Sequence, residues 1–337
     1  MREGFDRASE NHPEAPWEGQ FLFGGYPVSM RILGQQLRDH IVQPFLHLQL
    51  SSPAKDPLRL QIYLWDPNER ALPSEAKAST KKERGKPEVF FSPNGRFVLE
   101  RSTNASLALD RMQPAIVGRF AWSEHLLAYE RCKPMSRLLV EWFNDRNLPV
   151  VHAGLVSWKE NGVLLAGGSG SGKSTSALMC LQTGYDFLSE DYVAVQSLDD
   201  GSFLGHSMYS SVFLEKHQLA HFPEFHDLAS DGNEDDKLAI ILSHAFPQRL
   251  KRAVPIRALI LCEIGVQQSA HIRPANKIEA LRTLGLSSLM QIPNRGQRSL
   301  DDLASLIERM PSFWLRLGRD LTSIPHCIDR VLVEVGE

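Results

Sequence analysis

Four glycines and three serines crowd a lysine between Gly167 and Ser174, at the centre of "GVLLAGGSGSGKSTSAL" (residues 162–178). An apolar strand-like run precedes this stretch and a helix-forming run follows it. Glycine there is entropically costly, so its use points to a ligand that needs close backbone approach. Gly167-x-x-x-x-Gly172-Lys173-Ser174 is a complete phosphate-binding loop motif. In such a motif successive backbone N–H groups curl around phosphates, and the next helix directs its positive N-terminus at them. The expected nucleotide-binding residues are Gly167, Gly168, Ser169, Gly170, Ser171, Gly172, Lys173, Ser174 and Thr175. Lys173 can reach the β- and γ-phosphates of ATP, and the Ser174 hydroxyl can ligate Mg²⁺.

Two carboxylates, Glu190 and Asp191, lie in the first strand-like segment after the loop's helix. One carboxylate near a metal and one near an acceptor hydroxyl is what phosphoryl transfer requires, although an acidic turn is also common. His152, before the loop, is on spacing alone as readily structural as functional.

Around this centre the sequence alternates strands and helices. PVVHAGLVSWKENGVLLAG reads as a hairpin with its turn at Asn161-Gly162, and SALMCLQTG as a helix closing at Gly184. YDFLSEDYVAVQ, IRALILCEIG and FWLRLG read as strands. IEALRTLG, SLDDLASLIERM with Ser299 as cap, and a segment opened by Pro325 read as helices. Upstream, YPVSMRIL, IVQPFLHLQL and LRLQIYLW have strand-like alternation, and VFFSPNGRFVLE reads as a hairpin turning at Pro93-Asn94-Gly95. Residues 1–20 read as a loose polar arm and Asp66–Glu88 as a polar loop. A helical stretch at about 122–146 joins the halves. The expected domains are a β-rich N-terminal one at 1–121, assigned to acceptor recognition, and a catalytic one at 122–337.

Residues 150–195, from VVHAGLVSW through the loop to SEDYVAV, resemble the catalytic domain of the HPr kinase/phosphorylase family, in the phosphoenolpyruvate-carboxykinase-like branch of P-loop proteins. The shared order is a histidine-bearing strand, turn, strand, P-loop, helix and acidic pair. The resemblance implies an α/β fold with a P-loop kinase core, ATP with Mg²⁺ as cofactors, and transfer of the γ-phosphate to a serine-like hydroxyl. It makes Glu190 the general base, Asp191 a metal ligand beside Ser174, and His152 a neighbour of the phosphates, with Lys173 completing the catalytic set. Glu190 departs from the family, which usually has aspartate there. The family's glycine- and arginine-containing signature beyond the acidic pair has no clear match, and the first 120 residues do not resemble its regulatory domain. The implied acceptor is therefore a hydroxyl of a peptide, protein or small molecule other than HPr. The layout is similar to HPr-kinase-like proteins associated with peptide modification. Lys237, Arg295 and Arg298 are further candidate cations, each more often a surface charge.

Composition narrows the alternatives. A net charge of −3 argues against a general nucleic-acid binder, and no apolar run is long enough for a membrane helix. Four scattered cysteines form no CxxC pair, and the N-terminus lacks an apolar leader, so the expectation is a cytoplasmic protein with buried thiols. A homo-oligomer is left open. The rival reading is a regulatory nucleotide-binding protein without turnover.

Overall fold

The computed structural model describes residues 2–67, 88–102, 104–121, 123–230, 237–291 and 297–336. It is a mixed α/β protein with several sheets, and it divides into two compact units, Met1–Trp142 and Phe143–Glu337.

The first unit is built on a seven-stranded sheet. Its strands are β1 (Trp17–Phe23), β2 (Tyr26–Leu33), β3 (Leu60–Trp65), β4 (Glu88–Phe91), β5 (Phe97–Arg101), β6 (Ala105–Asp110) and β7 (Ala115–Phe120), in the order β1-β2-β3-β7-β6-β5-β4. The β4–β5 hairpin forms as expected, with Gly95 in the left-handed region at φ 68°. The supposed N-terminal arm is instead helix α1 (Glu3–Asn11). One apolar residue, Phe5, fastens it by packing on Tyr63 and Trp65. IVQPFLHLQL is not a strand either. It ends helix α2 (Gln35–Ile41) and then forms a tight 3₁₀ turn at Gln43–Leu48, which Pro44 suits and which buries Phe45 against Phe21 and Phe23. Most of the polar Asp66–Glu88 stretch lies outside the described residues.

The joining helix is two helices, α3 (Ala128–Cys132) and α4 (Ser136–Asn144), broken where Met135 takes φ 57°. Along the chain, the division between the compact units falls inside α4 and not at 121/122. Glu141 pairs with Arg111 at 3.1 Å and Trp142 packs edge-on to Tyr26, which fastens most of this helix to the first unit.

The second unit has strands β8 (Val150–Trp158), β9 (Asn161–Ala166), β10 (Asp186–Ser189), β11 (Tyr192–Ser197), β12 (Phe203–Ser207), β13 (Ser211–Glu215), β14 (Ala229–Ser230), β15 (Lys237–Ile241), β16 (Ala253–Ile264), β17 (His271–Pro274) and β18 (Ser312–Leu317). Its helices are α5 (Lys173–Gln182), α6 (Lys277–Ala280), α7 (Leu286–Gln291), α8 (Gln297–Arg309) and α9 (Ser323–Gly336). β8 pairs with β9 and β11, β11 with β12, β12 with β16, and β16 with β9, so five strands close a ring of pairings. β9, β16 and β18 run parallel. Alternating side chains of β9 feed two cores. Val163 and Leu165 pack with α5, α9 and the β13–β15 sheet, while Leu164 and Ala166 pack with residues of α6 and α8.

The β8–β9 hairpin turns two residues earlier than expected. Lys159 and Glu160, at φ 48° and 63°, form the two-residue turn, and Asn161 is already paired with Trp158. α8 begins at Gln297, so Ser299 lies within its first turn and is not its cap. The four cysteines are free and buried.

Candidate functional site

The glycine-rich stretch leaves the end of β9, crosses an exposed tip at Gly168, Ser169 and Gly170, and enters α5. Gly172 occupies the cap position at φ 96°, in the left-handed region. A Cβ there would stand 2.4 Å from Leu317 Cδ2, so both conformation and space demand glycine. The turn places the first-turn amides of α5 beneath the tip, with Lys173, Thr175 and the following residues buried.

Lys173 is buried, and its ammonium donates to the carbonyls of Gly167 at 2.8 Å and Gly168 at 3.1 Å. Among the described residues it forms no ion pair with a carboxylate. Ser171 Oγ is buried without a hydrogen-bond partner. A buried cation held only by carbonyls, beside an orphaned hydroxyl, is an environment that an anion would complete. The residues present therefore fit a nucleotide polyphosphate.

The acidic pair sits where β10 ends and β11 begins, both running along β8. The strand opens at this point because Ser189 Oγ donates to the Tyr192 carbonyl at 2.6 Å, bridging the gap. Gly154 of β8 makes room: a Cβ there would meet the carbonyls of Ser189 and Glu190 at 3.3 and 3.2 Å. The two carboxylates leave this break toward different partners. Glu190 is buried and accepts the hydrogen bond of Ser174 Oγ. Asp191 lies 2.6 Å from His152 Nε2, and its side chain is 18% exposed where that of His152 is 8%.

Ser174 thus meets Glu190, whereas the sequence led us to expect it beside Asp191. The Ser174 hydroxyl and Glu190 carboxylate are oxygen donors of the kind Mg²⁺ takes, so this pair fits the metal. His152 Nδ1 is buried with no hydrogen-bond partner. The histidine's backbone N–H donates to Ser288 Oγ at 3.0 Å. Ser288 comes from far along the chain, and no local pattern marks it. Arg295 and the side chains of Lys237 and Arg298 lie outside the described residues. No helix among the described residues is long and apolar enough to cross a membrane.

No protein-family model matches the chain, and no curated protein matches it in sequence. Among solved structures it is similar to the Hpr(Ser) kinase/phosphatase from Coxiella burnetii. That match has 10% identity and a TM-score of 0.32, and covers 56% of this chain and 99% of the other. So distant a likeness carries no argument about chemistry, and the local geometry has to supply it.

Proposed function

We propose that this chain is an ATP-dependent kinase that transfers the γ-phosphate to a hydroxyl of a peptide, protein or small molecule. The observation that carries the reading is the convergence, at the base of one glycine-rich loop, of a buried lysine and two carboxylates with different partners. A protein that only binds nucleotide has no use for a second, partly open carboxylate tied to a histidine.

The loop amides and Lys173 hold the phosphates and balance their charge. Ser174 and Glu190 would hold Mg²⁺, which, when bound, offsets the charge on the phosphate oxygens. Asp191 is the more exposed carboxylate and the one an acceptor can approach. It accepts the proton of the acceptor hydroxyl while His152 fixes its orientation. The bond from the acceptor oxygen to the γ-phosphorus forms as the bond from that phosphorus to the β,γ-bridging oxygen breaks, and ADP leaves. This division reverses the one implied by the family resemblance, which made Glu190 the base and Asp191 the metal ligand. The hydrogen bond from Ser174 to Glu190 supports the reversal.

The test is incubation with γ-labelled ATP and candidate hydroxyl acceptors, read by mass spectrometry. Lys173→Ala should weaken ATP binding and abolish transfer. Wild-type turnover in that variant would rule the reading out.

A further inference from the structure

We infer that Ser288 is a positioning residue that sets where His152, and through it Asp191, stands; the inference rests on the kinase reading above. The reason lies in how β9 leaves the sheet. Its ladder with β8 runs from Trp158–Asn161 to Ala153–Ala166. One step further, the same register would set His152 opposite Gly167. At Gly167 the chain turns away to build the glycine-rich loop, so the β8 edge loses its partner strand beside the candidate site. The His152 amide that faces this edge donates instead to Ser288 Oγ, at 3.0 Å. A side chain from α7 has taken over the hydrogen bond that the loop's departure left open.

The helix is shaped to deliver that hydroxyl. Ala280, Leu284 and Ser288 are all fully buried, forming an inward row at steps of four. Eight residues of regular helix, at about 100° each, would swing Ser288 roughly 80° away from Ala280. The segment Leu281–Gly285 between α6 and α7 is a wide π-type turn, and its underwinding keeps the row aligned. Such a turn is uncommon and is found often at functional sites. Here it converts an otherwise apolar row into one that ends in a hydrogen-bond acceptor at the histidine. On the neighbouring edge of β8, His152 is paired with Tyr192, the residue that follows Asp191. Ser288, His152 and Asp191 therefore form a chain of contacts, with Ser288 itself fully buried.

The test uses the full-length protein with Ser288→Ala, Ser288→Cys and Ser288→Thr. Alanine removes the acceptor, cysteine keeps the size with a weakly accepting sulfur, and threonine keeps the hydroxyl. In the alanine and cysteine variants kcat should fall about tenfold, while KM for ATP changes less than about twofold, because displacement of a reacting group costs rate. The threonine variant should keep most of the rate. NMR signals of the His152 backbone amide and imidazole should move in the alanine and cysteine variants and not in the threonine variant. If the alanine variant does not fold, the cysteine variant decides. Wild-type kcat and unmoved His152 signals in the cysteine variant would overturn the inference, as would a threonine variant as impaired as the cysteine one. The NMR arm reads the Ser288–His152 link without turnover. A wild-type protein that transfers no phosphate would thus defeat the kinase reading while leaving this link decided separately.

Discussion

Single side chains separate the two carboxylate roles. Asp191→Asn keeps the size and removes the basicity, so the transfer step should slow by ~10²–10⁴ with little change in metal requirement. Glu190→Gln weakens the group beside Ser174, so it should raise the Mg²⁺ concentration needed, with partial rescue by Mn²⁺. Turnover measured against metal concentration checks both, and the mirror-image result would return the roles to the division the sequence implied. Glu100 offers a test in the first unit. Burial raises its carboxyl from the usual 4.5 to about 7, against the opposing pull of Arg137 and a hydrogen bond from the Leu138 amide. The folded form therefore holds its proton more tightly than the unfolded chain. Its contribution to stability is complete below about pH 4.5 and is lost as pH rises through about 7. Glu100→Gln should remove that slope and gain up to roughly 3 kcal/mol at pH 8, as read by denaturant unfolding. A variant no more stable than the parent at pH 8 would show that Glu100 is not penalised by burial.

Elements were legible in the sequence wherever their chemistry is local. The glycine-rich loop, the Asn94-Gly95 hairpin and the helix stop at Gly184 each follow from backbone freedom at named residues. Elements decided by distant partners were not. α1 is a helix because Phe5 finds Tyr63 and Trp65, and Gln43–Leu48 coils because Phe45 finds two aromatic residues of β1. The site follows the same rule: its residue types could be read from spacing, but which carboxylate meets Ser174 depends on the break between β10 and β11. That break tests the role of Gly154. An exposed-strand glycine replaced by alanine ordinarily gains ~0.5–1 kcal/mol. Gly154→Ala should gain nothing and should slow transfer, because its Cβ presses on the carbonyls that shape the break. Thermal unfolding and turnover measured together check this; a stabilised, fully active variant would mean those carbonyls yield freely.

At the scale of the whole molecule, the second unit contains the glycine-rich loop and every residue assigned here to ATP and transfer. We propose that the first unit recognises the acceptor. A fragment covering residues 122–337, which keeps α3 and α4 whole, should bind ATP and lose affinity for the acceptor. Calorimetry with each ligand is the check, and undiminished acceptor affinity in the fragment would refute the assignment. The ring of five strands has a further consequence, for the timing of synthesis. β9 carries the loop; one of its edges pairs with β8 at once, but on the other Leu164 and Leu165 meet Leu259 and Ile260 of β16, which come far later in the chain. Pairings so distant along the chain form late, whereas the first unit is complete long before them. A ribosome-bound chain whose β16 has not yet emerged should therefore have no nucleotide affinity, despite displaying the whole glycine-rich motif. Competence for ATP would arrive in one step, with the strand that closes the ring.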